Sequence, residues 1–235
     1  MNEYNPLSKI DTAKKTQSDN LAREIKKLII DGELKTNVTF KNENEMCKLL
    51  NVSRSTLREA YKILEIEGYI SRTKHGTYVN GRNYVAINGN FNASLELAQY
   101  NDLIEFLCIL ETEAVSLAAS RVQKDQLAEI EKYKNLCDQY RYNQGAIQEY
   151  NDQFHLQIRM ASNNKLIVSA LSASYEQFNR NIIRTLIQTD NKEFMDQCIE
   201  EHSQLFEAIK NGDSRRAKGI AYDHLQHDVR RLKEL

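Results

Sequence analysis

The chain has 235 residues, 41% of them apolar, and carries 32 Lys and Arg against 33 Asp and Glu, a net charge of −1. That is enough apolar material for one large or two modest packed domains. With no run of 18 apolar residues and no export signal at Met1-Asn2-Glu3-Tyr4, the chain is read as cytoplasmic, with neither a membrane span nor secretion. Cysteines at 47, 108, 137 and 198 are far apart and form no CxxC, so they read as buried or separate thiols rather than a disulfide framework or zinc knuckle. The charge divides unevenly. Residues 1–80 hold fourteen Lys and Arg against eleven Asp and Glu, +3, and residues 81–235 hold eighteen against twenty-two, −4. The basic excess therefore belongs to the first third of the chain.

Residues 1–17 are polar and mixed, with the one Pro at position 6, and read as a flexible arm. In residues 18–80, Leu21, Ile25, Leu28 and Ile29 recur at helical spacing and the pattern stops near Gly32. Asn42 with Glu45 three residues on makes a capping-box-like start for a second short helix with the stripe Met46, Leu49 and Leu50. Asn51-Val52 is then a tight turn into Ser53, an N-cap for a third helix. In that helix Leu57, Tyr61 and Leu64 form the apolar stripe, while Arg54 and Arg58, four apart, project from another face. This is helix-turn-helix spacing. Past Gly68, Tyr69-Ile70-Ser71-Arg72 and Thr77-Tyr78-Val79 are β-prone runs around a Lys74-His75-Gly76 tip, a wing. The stretch VSRSTLREAYKILEIEGYISRTKHGTYV resembles the winged helix-turn-helix of the GntR transcription regulators, with its S-R-x-T-x-R-E-A core, L-E-x-x-G helix end and G-T-[YF]-V wing strand. The resemblance implies binding to double-stranded DNA. It assigns Arg54 and Arg58 to phosphates and base edges, Ser55 and Thr56 to the DNA backbone, and Arg72, Lys74 and Gly76 to the wing near the minor groove. Where the family often has Leu-Pro-Ser-Glu-Arg, this chain has Phe40-Lys41-Asn42-Glu43-Asn44, so an arginine that often contacts DNA is Asn44.

Residues 81–93, rich in Asn with Gly81 and Gly89, read as an inter-domain linker. From 94 to 235 the pattern is helical, with breaks near Gln123-Lys124, Asn143-Gln144-Gly145, Asn163-Asn164, Thr189-Asp190-Asn191 and Asn211-Gly212-Asp213. That predicts an antiparallel all-α bundle of about six helices, so the whole is mostly α: a winged helix-turn-helix of three helices and a β-hairpin, followed by the bundle.

Three histidines fall on these helices, His155 in Asn151-Asp152-Gln153-Phe154-His155, His202 after Glu201, and His224 before Leu225. Asn151 and His155 share a helix face. Several imidazoles with an oxygen donor suit a divalent transition metal, although by spacing alone the signal is weak, since a helical histidine is far more often an ordinary core or surface residue. NDQFHLQIRMASNNKL is similar to the [DN]-x-x-F-H-x-x-[IL]-x-x-A-S-x-N phrase of the FCD ligand-binding domain of FadR-type GntR regulators. EHSQLFEAIKNGDSRRAKGIAYDHL resembles its closing segment, and LETEAVSLAAS its L-E…A-x-x-L-A-A segment. The small basic excess of one head implies a homodimer on a pseudo-palindromic operator, and the resemblance implies His155, His202 and His224 as ligands of a divalent metal. It puts Asn151 where many relatives have Asp. Zinc is the metal expected, with nickel and manganese as alternatives. The bound effector would be a small metabolite, in the first place a carboxylate. Where the family often places an arginine for that carboxylate, this chain has Leu107, so Arg121, Arg159 and Arg184 are the candidate anion partners. His227, one turn past His224, is outside the motif and reads as surface. The function implied is an effector-responsive repressor that is not an enzyme. A sensor of the metal itself and a three-His metalloenzyme are the competing classes. The only evident base for an enzyme, Glu201, is expected to point away from the site because it adjoins His202 on a helix.

Overall fold

The computed structural model describes residues 16–179 and 192–234, which divide into two compact units at Ala98 and Gln99. In the first unit, Thr16 caps α1 (Gln17–Ile30) through a reciprocal box with Asp19. The rest of the expected arm lies outside the described residues. α1 buries Ala22, Ile25 and Ile29, whereas Leu28 is exposed, because the packed stripe is the one centred on Ile25. Gly32, at φ 78°, turns the chain away after the helix. Asn42 caps α2 (Glu43–Leu50) by accepting from the Glu45 backbone N–H; Met46 is buried and Leu49 is exposed. Asn51 ends α2 in the left-handed region at φ 53°, a conformation its short polar side chain tolerates. Ser53 then caps α3 (Arg54–Ile66), which buries Leu57, Ala60, Tyr61 and Leu64. Strands β1 (Ile70–Thr73) and β2 (Gly76–Val79) pair antiparallel with Ile70 opposite Val79 and Thr73 opposite Gly76, leaving Lys74 and His75 as the loop. Thr39 bridges to Tyr78 on the other side of β2.

The stretch expected to be a linker is instead structured. Helices α4 (Arg82–Asn88) and α5 (Phe91–Leu97) follow the wing, and Val85, Ala93 and Leu97 join the same core as Leu57, Tyr61 and Tyr69. Two glycines make the approach possible. A Cβ on Gly68 would stand 2.7 Å from the Gly89 Cα, and one on Gly89 would stand 2.7 Å from the Glu67 carbonyl oxygen. Backbone here meets backbone with no room for a side chain, so the glycines that suggested flexibility serve close packing. Lys26 ties α5 further by reaching Glu67 at 2.9 Å and Glu96 at 2.7 Å, while the Tyr69 hydroxyl donates to Glu96 at 2.9 Å.

The second unit is all-helical among the described residues: α6 (Tyr100–Arg121), α7 (Lys124–Gln139), α8 (Gln144–Ala161), α9 (Lys165–Asn179), α10 (Lys192–Lys210) and α11 (Ser214–Glu234). Asn163 at φ 52° and Gly212 at φ 71° turn the chain where breaks were expected, and the break at Thr189-Asp190-Asn191 lies outside the described residues. Phe154, Ile158, Ile130, Leu205 and Ile209 form the centre of its core. α6 packs on α8, α9, α10 and α11, and α7 packs on α8. No helix among the described residues is long and apolar enough to cross a membrane.

Candidate nucleic-acid interface and candidate metal centre

On the first unit, the N-terminal turn of α3 is a polar knot. The Ser53 hydroxyl lies 2.8 Å from both the Ser55 and Thr56 hydroxyls and accepts from the Thr56 N–H at 3.1 Å. Arg54, Ser55 and Arg58 are exposed along one side of the helix, opposite the buried Leu57, Ala60 and Leu64. At the wing, Lys74 is exposed beside Gly76, whose φ of 138° and whose 3.2 Å clearance from Thr39 Cγ2 both disfavour a side chain. The structure thus brings Arg54, Ser55, Thr56, Arg58, Arg72, Lys74 and Gly76 into one unit. A residue the sequence reading passed over joins them: Glu43 pairs with Arg58 at 2.8 Å and with Arg72 at 3.2 Å.

On the second unit, three helices bring three imidazoles together. His155 comes from α8, His202 from α10 and His224 from α11, with ring centroids 5.1 Å (155 to 202), 5.3 Å (155 to 224) and 5.0 Å (202 to 224) apart. One potential ligand atom from each lies within 4.8 Å of the others. Burial, reinforced by the neighbouring imidazoles, holds His155 and His202 well below the usual histidine range, so both are neutral. His202 Nδ1 is buried with no hydrogen-bond partner, a cost normally avoided unless something outside the chain takes the lone pair or proton. Neutral clustered imidazoles with an orphaned nitrogen are the donor set that a divalent transition metal takes, so these residues fit such an ion.

Glu201 does not point away. Its Oε2 lies 2.6 Å from His224 Nδ1 and its Oε1 2.6 Å from His227 Nδ1, so His227 is engaged rather than a plain surface residue. A carboxylate there makes His224 Nδ1 the donor and so fixes the tautomer in which Nε2 carries the lone pair, the outer-shell arrangement that orients metal-binding histidines. Burial opposes ionisation of Glu201, but the hydrogen bonds from His224, Gln197 and His227 outweigh it and keep its carboxyl below the usual range.

A cavity of about 350 Å³ adjoins the histidines. Asn151, Asp152, His155, Arg159 and His224 supply polar lining, and Leu107 and Leu156 some of its apolar wall. Burial raises the Asp152 carboxyl despite the nearby Arg159 charge. Arg159, a residue type more often found at the surface than in a pocket, is buried. Its Nε donates to Glu111 Oε1 at 2.6 Å and its guanidinium lies 4.1 Å from the centre of the Tyr175 ring. It stands one turn after His155 on α8, on the same face. Arg121 is not in the lining; it is exposed and donates to the Ser162 carbonyl at 3.2 Å. Arg184 lies outside the described residues. Glu111 lies in the L-E phrase at the start of LETEAVSLAAS and Tyr175 in no quoted phrase, and nothing along the chain marks either as a partner of Arg159.

Two family models account for both units. Residues 17–79 match the gntR family of bacterial regulatory proteins, and residues 102–227 match the FCD domain. Over 215 residues the chain is 26% identical to the Exu regulon transcriptional regulator of Escherichia coli (strain K12), covering 88% of this chain and 81% of that one. Over 230 residues it is 24% identical to the Galactonate operon transcriptional repressor of the same strain, covering 93% and 98%. Among solved structures, E. coli McbR/YncC superposes with a TM-score of 0.53 at 17% identity, covering 94% of this chain and 99% of that one, a likeness of fold. The reading head and the helical unit thus lead to one conclusion: the chain belongs to the GntR family, as a DNA-binding transcriptional regulator of the FadR type with a winged helix-turn-helix and an FCD domain.

Proposed function

We propose that the protein is a cytoplasmic homodimeric repressor whose affinity for a pseudo-palindromic operator is set by a small anionic metabolite, in the first place a carboxylate. The metabolite would be received in the cavity of the helical unit beside a divalent metal. The observation that carries this reading is a cluster of three imidazoles, two of which, His155 and His224, line the same cavity as the buried Arg159. His155, His202 and His224 would hold the metal, zinc by donor set, with nickel and manganese as alternatives. A bound ion would supply Lewis acidity and a full divalent charge, since neither the three histidines nor Asn151 carries a negative charge to offset it.

The chain's own residues do the rest. Glu201 fixes the His224 tautomer. Glu111 and Tyr175 hold the Arg159 guanidinium by its Nε and one face, leaving its terminal N–H groups for an anion. The Leu107 and Leu156 side chains in the lining lower the local dielectric and strengthen that attraction. Turnover has no place in this reading: the Glu201 carboxylate orients His224 and His227, one through each oxygen. Repression is supported by the relative named as a repressor.

Dialysis against a chelator, with gel shifts before and after, tests the switch. Metal alone is expected to change operator affinity little, and the organic molecule that copurifies with the protein, identified by mass spectrometry and added back, to change it about 5- to 150-fold. A full response to the ion alone would make the protein a metal sensor instead. Sedimentation of the saturated complex is expected to show two chains per operator, since a head of charge +3 needs a linked second head for useful affinity. One chain per site would contradict the dimer.

A further inference from the structure

Glu43 occupies the first turn of α2, yet its carboxylate is held from two other elements. Oε2 accepts from both Nε and Nη2 of Arg58 on α3, each at 2.8 Å, and Oε1 accepts from Nη2 of Arg72 on β1 at 3.2 Å. Its side chain is 29% exposed, against 61% for Arg58 and 35% for Arg72. As an ion pair at the surface this cluster adds little to stability. Its geometry matters more. A guanidinium has five N–H donors in one rigid plane; Glu43 takes the Nε–Nη2 edge of the exposed Arg58 and so fixes the plane, leaving the Nη1–Nη2 edge outside that contact. A bidentate contact to guanine O6 and N7 needs such a fixed edge. A phosphate accepts from an arginine at almost any approach and is repelled by a carboxylate beside it. The same carboxylate therefore favours a base contact and disfavours a loose phosphate contact.

We propose that Glu43 is a specificity-determining positioning residue of the DNA-reading head: it locks the recognition-helix Arg58 and the wing Arg72 into one geometry and lowers affinity for DNA of other sequence. The α2 N-terminus favours a negative charge at this position. The role extends to the wing. Because Arg72 shares the carboxylate, α3 and β1 meet the duplex as a unit, and a wing displaced from its groove would withdraw a partner from Glu43.

The test uses the full-length protein, a duplex selected from a random library on the wild type, and a scrambled duplex of the same length. Glu43→Gln is expected to bind the scrambled duplex about threefold more tightly and to lower the ratio of selected to scrambled affinity at least about tenfold. Its dependence of log affinity on log salt is expected to steepen by about one, the signature of an added phosphate contact. Glu43→Asp keeps the charge and loses the reach. It should leave scrambled binding as in the wild type while still lowering the ratio, which separates charge from geometry and provides a second variant at the same position. Thermal unfolding of each variant confirms an intact head. An unchanged ratio in Glu43→Gln, or a weakening of both affinities, overturns the proposal, since a structural prop alone would lower both together.

Discussion

His155→Ala and His202→Ala are expected to leave the protein without metal and without a response to effector, while operator binding persists. The two histidines come from α8 and α10 and share a cluster with His224 of α11, so removing either takes one of three donors from any ion held there. Loss of an outer-shell partner typically costs about 10- to 100-fold in metal affinity, and loss of a ligand itself should cost more. Glu201→Gln supplies the comparison within that smaller range, because it alters only the group that orients His224. DNA binding should survive in all three variants because the winged helix-turn-helix lies in the other unit. What is forfeited is a coupling of about 1–3 kcal/mol, equivalent to the 5- to 150-fold switch. Asn151→Asp is the converse change. It adds a carboxylate one turn before His155, and should tighten metal binding while weakening an anionic effector. Metal content by plasma mass spectrometry, calorimetry and gel shifts decide the matter together. Unaltered metal content after loss of two of these histidines would sink the site assignment.

Arg58→Ala is expected to weaken operator binding by roughly 1–3 kcal/mol and to relax base preference, the range for one bidentate base contact. Lys74→Ala should weaken binding to every sequence alike and flatten the salt dependence by about one. The contrast follows from placement. Arg58 is on the recognition helix with its guanidinium plane set by Glu43, whereas Lys74 sits in the two-residue loop between β1 and β2 with a flexible stem. Competition binding with point-mutated duplexes measures both. If Arg58→Ala left specific and non-specific affinity untouched, α3 would not be the element that reads sequence.

Most of the reading head was legible in the chain because its signals act over a few residues. Thr16 apart, the Asn42 and Ser53 caps, the left-handed Asn51 and the Leu57-Tyr61-Leu64 stripe each involve groups no more than a turn or two from one another. The stripe residues that proved exposed, Leu28 and Leu49, show the limit of periodicity: it gives a face, while the neighbouring elements decide how wide a band of it is covered. The Gly- and Asn-rich stretch after the wing misled for a related reason. Composition reports what a backbone can do, and only the approach of Gly68 to Gly89 reveals that the freedom is used for packing.

By itself the sequence determined the order of elements up to the wing, the third helix with Arg54 and Arg58 exposed on it, the six helical segments of the second unit as far as they are described, and which histidines belong to a motif. These are properties of local hydrogen bonding and amphipathic spacing, or of phrases read along the chain. Only the tertiary structure decided the partners. Glu201 meets His224 across 23 positions, Glu43 meets Arg58 across 15 and Arg72 across 29, and Arg159 meets Glu111 across 48. Each pairing depends on how helices pack and which way a long side chain leans once packed. A charged group's partner is chosen by that geometry, because the cost of burying a charge forces it to whichever opposite group the fold brings near.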